Sequence, residues 1–416
     1  MKNNVFFIRA YNDLDHFSPL IWKCVKEGQK PILLITTRLK IENDYRINYI
    51  GLKNLEVIYD EDEIFEYFFN SKNLLTKALR KIYQSYRNPD SFLGKIYRKF
   101  FFNISDQMNF LRMRNINACI FEWSTPYARG DKIEKYFFAA KAIGITTFAL
   151  PHGCNIFVNS DVTEGYRKKL QKGHQIDQKD TSHFDYYVFQ NPTRRDGWIK
   201  WGFIPEKTQV WGSLRFNPEW SEINKNICGD YVKDDCGEKL KIVFMQFQKE
   251  YNLKNTEIFN FLSNLTHLDG LSIVVKDATR EGKSFYDSKK SRETLGPSFA
   301  DWVGNEIHSP ALIDWSDLVI VIGGSIGIEA LIQGKKVIYP SFLNTNETLY
   351  EKYNAVHCVS SENEAFELIN KIKNKEEVPP PPGKERLLNE IMYGGNEKFD
   401  VIQKYFDEIS SDNLNY

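Results

Sequence analysis

The stretch that decides the fold is Asp317-Leu318-Val319-Ile320-Val321-Ile322-Gly323-Gly324-Ser325-Ile326-Gly327-Ile328-Glu329-Ala330. Its first half is a continuous apolar run, typical of a strand that is buried on both faces of a parallel sheet. Two glycines and a serine end the run, and a helical pattern follows at once. Backbone N–H groups, the Ser325 hydroxyl and the positive end of a helix dipole then meet at one point, where a phosphate can bind. Glu329, one helical turn further, can accept hydrogen bonds from a ribose. The alternative is an ordinary βαβ unit, in which Gly-Ser turns are common.

Strand patterns alternate with helical patterns along the chain, in two series. The first series comprises Asn4–Arg9, Pro31–Thr37, Leu55–Tyr59, Ala118–Glu122, Thr146–Pro151 and Tyr186–Gln190. The second comprises Lys241–Phe247, Ser272–Lys276, Leu318–Ile322, Val337–Pro340 and Ala355–Val359. Such alternation predicts βαβ units and parallel sheets. The expected fold class is α/β, with two doubly wound, Rossmann-like domains facing a cleft that holds the ligand at the carboxyl ends of the strands.

A polar, charged segment between Ser213 and Lys239 separates the two series. It predicts a first domain over residues 1–225 and a second over residues 226–383. Pro379–Pro382 form a stiff spacer that cannot continue a helix. The remaining segment, 384–416, has a helical pattern and is expected to be a separate C-terminal helix.

Composition limits the classes of partner. The 416 residues include 55 basic and 55 acidic side chains, and this zero net charge argues against nucleic acid as a partner. The six cysteines are scattered and form no CxxC pair, which favours a reducing compartment without disulfides or a zinc site. The sequence shows neither a signal peptide nor an apolar run of membrane-spanning length. These features predict a cytoplasmic protein.

The segment 72–102 departs from the neutral average. It contains eight basic residues and one acidic residue, Asp90, with aromatic and aliphatic residues between them. Basic and aromatic residues at helical spacing are typical of a helix on an anionic membrane surface, or beside an anionic lipid-linked acceptor. An ordinary amphipathic helix with a solvated basic face explains the pattern equally well. A peripheral contact with the inner membrane is therefore one of two readings.

The candidate catalytic base is His152, in the run Ala149-Leu150-Pro151-His152-Gly153 at the end of a strand pattern. A histidine at a strand's carboxyl end is well placed as a general base, and Gly153 beside it lets a substrate approach. A histidine that only bonds to the backbone is the alternative. Glu122, at the end of the preceding strand, joins Gly153 as a candidate acceptor-binding residue.

Two further passages carry charged residues at strand ends. Arg215 can clamp a phosphate or carboxylate, and Glu219 is a second catalytic candidate, as base or as nucleophile, unless the two side chains merely pair with each other. Lys276 and Arg280 follow another apolar strand and can neutralise a phosphate leaving group. No Asp-x-Asp motif accompanies them, so no metal ion is expected to take part.

The order of Pro-His-Gly, Gly-Ser-x-Arg-Phe-x-x-Glu-Trp, Lys-x-x-x-Arg and Gly-Ser-Ile-Gly-Ile-Glu-Ala over residues 118–342 resembles bacterial surface-polysaccharide glycosyltransferases of the two-domain GT-B type. The nearest in pattern are the β-Kdo transferases of O-antigen (lipopolysaccharide) and capsule, which use CMP-activated ulosonates. Bacterial sialyltransferases are more distant.

The resemblance implies a CMP-sugar donor bound in the second domain, with no other cofactor, at Gly324, Ser325, Glu329, Lys276, Arg280 and Arg215. It also implies a glycan or lipid-linked acceptor in the first domain and a C-terminal helix that crosses back to that domain. Two departures weaken the match to CMP-ulosonate transferases. His152 stands where those enzymes have an acidic residue, and Asp277-Ala278 replace the His-Pro motif of sialyltransferases.

Other functions remain open at this point. The His-Gly pair is similar to that of teichoic-acid polymerases, which transfer polyol phosphates from CDP carriers. Non-hydrolysing UDP-sugar epimerases share the fold, although this chain lacks the acidic residue before the serine and the paired Glu-Glu of that family. A catalytically silent partner in a glycan-assembly complex is the last alternative.

Overall fold

The computed structural model describes residues 3–37, 39–60, 92, 103–122, 133–151, 153–159, 161–173, 183–232, 237–248, 250–278 and 292–411. The chain forms two compact units. Unit 1 comprises residues 1–153, 177–217 and 398–416, and unit 2 comprises residues 154–176 and 218–397. The chain therefore leaves unit 1 after residue 153, contributes a short segment to unit 2, and returns at residue 177. It passes to unit 2 again between residues 217 and 218, near the expected boundary at residue 225, and returns to unit 1 at residue 398.

Unit 1 is a seven-stranded parallel sheet with helices. Its strands are β1 (Asn3–Ile8), β2 (Ile32–Ile35), β3 (Glu56–Tyr59), β4 (Ile116–Glu122), β5 (Thr146–Leu150), β6 (Tyr186–Phe189) and β7 (Thr208–Val210). Its helices are α1 (Tyr11–Lys26), α2 (Tyr45–Ile50), α3 (Ser105–Met113), α4 (Ile133–Ala142) and, after the segment 154–176, α6 (Pro192–Lys200). The strand order is β3-β2-β1-β4-β5-β6-β7, and every pair is parallel.

Unit 2 is a six-stranded parallel sheet of the same design. Its strands are β8 (Leu240–Met245), β9 (Leu271–Lys276), β10 (Phe299–Val303), β11 (Leu318–Val321), β12 (Lys336–Pro340) and β13 (His357–Val359). Its helices are α5 (Glu164–Gln171), α7 (Pro218–Ile227), α8 (Asn255–Thr266), α9 (Ser309–Trp315), α10 (Ile326–Ile332), α11 (Leu349–Tyr353), α12 (Glu362–Lys373) and α13 (Lys384–Tyr393). Its strand order is β10-β9-β8-β11-β12-β13. In each sheet the order runs outward in both directions from the first strand, β1 or β8, so both sheets are doubly wound. The expected α/β class with two Rossmann-like domains is confirmed.

The inner strands of both sheets are buried on their two faces, as the apolar runs predict. All residues of β2 and β11 are buried, and in unit 1 the rings of Phe7 and Phe121 stack at 4.2 Å between β1 and β4. Burying side chains of this size contributes about 1.5–3 kcal/mol each. This packing holds the carboxyl ends of the strands, where the candidate residues lie, in fixed register.

The C-terminal segment 384–416 contains two helices in its described part. The first, α13, belongs to unit 2. The second, α14 (Val401–Ser410), belongs to unit 1, where it packs on α1 and β4. The buried Tyr405 hydroxyl donates to the carbonyl of Gly212 at 2.9 Å, and Asn117 donates to the carbonyl of Ile409 at 2.7 Å. Both contacts fix this last helix to the first sheet.

Two strands are absent from the predicted series, and the basic segment falls almost wholly outside the described residues. β7 has only three residues, and β10 contains Asp301 in its middle, so neither is an apolar run. The basic segment 72–102 lies outside the described residues except for Phe92, which is 78% exposed. Among the described helices none has the length and hydropathy needed to cross a bilayer.

Candidate functional site

The sheet of unit 2 reverses its winding between β8 and β11. These two strands are neighbours, with β9 and β10 on one side and β12 and β13 on the other. In open α/β sheets, ligands bind outside the carboxyl ends of the strands at such a point, because the flanking connections leave in opposite directions and open a crevice. Phe247 follows β8 there, and Gly323-Gly324-Ser325 follow β11.

The two glycines of this turn are explained by an aromatic contact. Gly324 has φ +82°, and a Cβ built on it would lie 2.8 Å from Cε2 of Phe247. A Cβ on Gly323 would lie 2.8 Å from Cδ1 of the same ring. Any larger residue would have to displace the ring, and at Gly324 it would also adopt a left-handed backbone conformation. The glycines indicated a turn in the sequence, but their contact with the ring of Phe247 could not be predicted from it.

The turn holds its carbonyl groups inward. Asn344 donates through Nδ2 to the carbonyl of Ile322 at 3.1 Å, and the Tyr350 hydroxyl donates to the carbonyl of Gly324 at 2.9 Å. Burial raises the pKa of Tyr350 well above its usual value, so this phenol stays a proton donor. By contrast, no described residue accepts a hydrogen bond from the N–H groups of Gly324, Ser325 or Ile326. The turn thus offers backbone donors, while its carbonyls at Ile322 and Gly324 are already occupied.

Ser325 and Glu329 both belong to the start of α10, Ser325 as its N-cap residue and Glu329 in its first turn. Ser325 is the residue before the helix, its side chain makes no capping hydrogen bond, and it is partly exposed. Glu329 is 7% exposed. Burial, and then the charge of Glu329, raises the pKa of Cys228 to about 11, so the carboxylate lies near that thiol. Both residue types suit a nucleotide, the hydroxyl for a phosphate and the carboxylate for ribose hydroxyls.

Lys276 ends β9 but contacts protein rather than open solvent. It is 4% exposed, and its Nζ donates to the carbonyl of Gly304. The N–H of Gly304 donates to Glu306 at 2.7 Å, so both backbone groups of this glycine are occupied. Burial lowers the pKa of Lys276 to about 8, although Glu306 and Asp277 act in the opposite direction. Its predicted partner Arg280 lies outside the described residues.

An aromatic group that the sequence did not reveal adjoins the glycine turn. Phe157, Phe247 and Tyr251 have ring centroids 4.9–5.9 Å apart. Phe157 comes from the segment 154–176, which the chain inserts into unit 2 between β5 and β6. The isolated bridge between Phe157 and Thr348 and the hydrogen bond from the N–H of Val158 to Glu347, 2.9 Å, attach this segment.

Asparagine side chains complete that attachment. The buried Asn346 donates to the carbonyls of Val162 and Tyr251 at 3.1 and 2.8 Å, and accepts from Asn159 and Asn252 at 3.0 and 2.9 Å. All groups of this side chain are therefore used. The segment is a built part of unit 2, not a loose connection.

The corresponding reversal in unit 1 lies between β1 and β4. Arg9 follows β1 and Glu122 ends β4, and the two form an ion pair of 2.7 Å with side chains 3% and 6% exposed. Asp13 accepts hydrogen bonds through Oδ2 from the N–H groups of Arg9 and Ala10, at 2.7 and 2.9 Å. The candidate acceptor residue Glu122 is thus placed at the carboxyl edge of the sheet, with Arg9 against it.

The remaining candidates are dispersed. His152 lies outside the described residues, and its neighbour Gly153 has open space where a side chain would stand. Arg215 belongs to unit 1, where its Nη1 lies 3.6 Å from Oδ2 of Asp15. Glu219 lies in the first turn of α7 in unit 2, and it is exposed. The structure therefore brings together Gly324, Ser325 and Glu329 in one element.

A cavity of about 370 Å³ in unit 2 lies between β13, α12 and Pro379–Pro382, far along the sheet order from β8. Within the described residues, no group of three or more His, Cys, Asp or Glu side chains is arranged to hold a metal ion.

No protein-family model matches the chain, and no curated protein matches it. Solved structures do. UDP-GlcNAc 2-epimerase from Neisseria meningitidis, bound to UDP-GlcNAc, matches with TM-score 0.57 and 13% identity over 98% of this chain and 99% of the other. A glycosyltransferase from Rickettsia africae matches with TM-score 0.55 and 13% identity over 99% of each chain. HepE from Anabaena, in complex with UDP and glucose, matches with TM-score 0.55 and 10% identity over 99% and 100%.

These similarities extend over nearly the whole length of each protein. At identities of 10–13% they establish the fold alone: the chain has the two-domain GT-B architecture of these proteins. The expectation of a GT-B fold is confirmed.

Proposed function

We propose that this chain is an enzyme acting on a nucleotide-sugar, and that unit 2 binds the nucleotide. The observation that carries the proposal is the winding reversal of unit 2, where Gly323-Gly324-Ser325 present backbone donors between β8 and β11. Proteins of the same fold have been solved with UDP or UDP-sugars bound. A phosphate would bind the open N–H groups and the Ser325 hydroxyl, and Glu329 would accept from the ribose.

Epimerisation of a UDP-sugar is the first candidate reaction. Several of the similar structures are named as UDP-GlcNAc 2-epimerases, which makes this reaction better supported than transfer from a CMP-ulosonate. Inversion at a sugar carbon requires a base that removes its proton and an acid that returns one. Glu122 is a buried carboxylate at a strand end, and Arg9 keeps its negative charge compensated. It would serve such chemistry as well as the acceptor binding that the sequence suggested.

Glycosyl transfer is the second candidate. Two observations favour it: a similar structure is named a glycosyltransferase, and the turn lacks the acidic residues expected of the epimerases. In this reaction His152 would remove the proton of the acceptor hydroxyl as it attacks the sugar. The donor would be a UDP-sugar or, as the sequence motifs suggest, a CMP-sugar such as CMP-Kdo. Transfer of a polyol phosphate from a CDP carrier would use the same site.

One assay separates these reactions. The purified chain is incubated in D₂O with UDP-GlcNAc, CMP-Kdo or CDP-glycerol, and the products are followed by NMR. Epimerisation gives a new sugar signal with deuterium at the inverted carbon and no free nucleotide. Transfer gives free nucleotide that increases with added acceptor, and His152→Ala should slow it by about a hundredfold to ten-thousandfold. EDTA should leave either activity unchanged.

Binding tests the proposal itself. Titration calorimetry with UDP, CDP and GDP should show saturable binding of at least one nucleotide to the wild-type chain. A chain that binds none of the three, and turns over none of the three donors, would overturn the proposed function.

A further inference from the structure

Asp277 lies at the same edge of unit 2 as the glycine turn. It follows β9, which neighbours β8, which in turn neighbours β11. Adjacent strands lie about 4.8 Å apart, so two such spacings, about 10 Å, separate the end of β9 from the end of β11. That separation is comparable to the length of a nucleoside monophosphate. Phe247, at the end of β8, lies between the two.

The Asp277 carboxylate is fixed through only one of its oxygens. Oδ1 accepts from Nε1 of Trp302 at 2.6 Å and from Nε2 of Gln246 at 3.2 Å. Trp302 is 6% and Gln246 is 8% exposed, so both donors are held by packing. The N–H of Asp277 donates to the carbonyl of Val303 at 3.0 Å, which fixes the backbone as well. No described residue donates to Oδ2, and the side chain is partly exposed.

This arrangement supplies a fixed hydrogen-bond acceptor at the sheet edge where Phe247 follows the neighbouring strand β8. A carboxylate oxygen accepts from N–H or O–H groups and repels phosphate. The phosphate end of a ligand is therefore directed to the turn after β11, and the end that carries hydrogen-bond donors to β9. Aromatic rings such as that of Phe247 stack with any base, because every base has a π face.

We propose that Asp277 binds the nucleoside part of the ligand, with Oδ2 accepting a hydrogen bond from an N–H of the base or an O–H of the ribose. This inference rests on the proposed function, because it assigns a second contact to the same nucleotide. It makes Asp277 a nucleoside-binding residue, while Ser325 and the turn hold the phosphate.

The test is Asp277→Asn. Trp302 and Gln246 both donate to Oδ1, so they keep the amide oxygen in that place and put the amide nitrogen where Oδ2 was. An acceptor thereby becomes a donor without loss of the contacts that fix the residue. Dissociation constants for UDP, CDP and GDP are measured by calorimetry, with inorganic pyrophosphate as a probe of the phosphate site alone. Asp317→Asn is the matched control, because Asp317 accepts from the N–H of Lys241 at the amino edge of the same sheet.

We expect Asp277→Asn to weaken nucleotide binding by about tenfold to a hundredfold, the usual cost of a lost hydrogen bond to a charged group. Pyrophosphate binding should stay equal or become tighter, because a negative charge is removed. A loss confined to one base identifies the base as the donor. An equal loss for all three nucleotides, abolished with 2′-deoxynucleotides, identifies the ribose. Unchanged nucleotide affinity, or an equal loss for pyrophosphate, would overturn the inference, whereas a wild-type chain that binds no nucleotide would overturn the proposed function instead.

Discussion

The two winding reversals of this chain have the same topology and opposite chemistry. In unit 1, the backbone N–H groups of Arg9 and Ala10 are occupied by the carboxylate of Asp13, and Arg9 is neutralised by Glu122. In unit 2, the N–H groups after β11 meet no acceptor among the described residues. In unit 1 a carboxylate of the protein itself thus satisfies the donors after β1, whereas in unit 2 the donors after β11 are open to an external anion. The comparison shows why topology alone does not identify a phosphate site.

The largest expected effect on stability concerns the buried ion pair between Arg9 and Glu122 at the winding reversal of unit 1. Arg9→Leu leaves the buried Glu122 without its cation, and breaking a buried pair in this way costs about 3–5 kcal/mol of unfolding free energy. Chemical denaturation followed by circular dichroism measures it. Arg114→Leu is the matched control, because its pair with Glu56 has side chains 34% and 36% exposed. A pair of that kind contributes about 0–1 kcal/mol. Equal costs for the two variants would show that the pair at the reversal has no special structural role.

The second prediction concerns the contact between Phe247 and the open turn. Gly324→Ala should lower the unfolding free energy by about 2–4 kcal/mol, since a left-handed alanine costs about 1–2 kcal/mol and overpacking against a ring costs about 1–3 kcal/mol. Gly334→Ala separates the two terms, because Gly334 has φ +75° and open space around it. Gly334→Ala should therefore lose only the free energy that a left-handed alanine costs, about 1–2 kcal/mol. If both variants lose the same stability, the ring does not pack on the turn.

The third prediction concerns ligand affinity. Ser325→Ala and Glu329→Gln should each weaken nucleotide binding by about 1.5–3 kcal/mol, the cost of a hydrogen bond to a charged partner. Calorimetry with the best-bound nucleotide measures it, and circular dichroism checks the fold. Ser341→Ala is the control, because its hydroxyl donates to the carbonyl of Val359 at 3.0 Å after β12. Unchanged nucleotide affinity in both variants would mean that the turn after β11 does not bind the anion. The proposed contrast between the two reversals would then fail.

The strands that form continuous apolar runs could be predicted from the sequence. β2, β8, β9 and β11 are buried along nearly their whole length, and their apolar runs were read as strands. β10 was missed because Asp301 interrupts its apolar pattern, although it pairs with β9 at the edge of the sheet and its Trp302 and Val303 are buried. Such strands owe their conformation to tertiary pairing rather than to local pattern.

Sequence spacing places those candidate residues that are close together along the chain, and it does not place those that are distant. Gly324, Ser325 and Glu329 lie within one turn and helix, so their proximity follows from spacing. Phe157 contacts Phe247 although it precedes it by nearly a hundred residues in the sequence, and no local signal indicates this contact. Nor does spacing reveal that Lys276 is buried against Gly304, because burial depends on the loop that follows β10.

The smallest effect concerns Lys276 and the pH dependence of stability. Burial lowers its pKa to about 8 in the folded chain, from a usual value of 10.5. Between these two pH values the unfolded chain binds the extra proton, so this residue makes the unfolding free energy rise with pH, by no more than about 1.4 kcal/mol per pH unit. Below pH 8 the lysine is charged in both the folded and the unfolded chain, so its contribution to stability is constant.

Lys276→Met should remove the rise of stability with pH. The control Lys373→Met should retain it, because it deletes a surface lysine that donates to the carbonyl of Asp269 at 3.2 Å. Urea titrations at pH 7, 8 and 9 decide the point. A Lys276→Met chain with the wild-type pH profile would mean that the ammonium is solvated, and therefore as available to a phosphate as the sequence suggested.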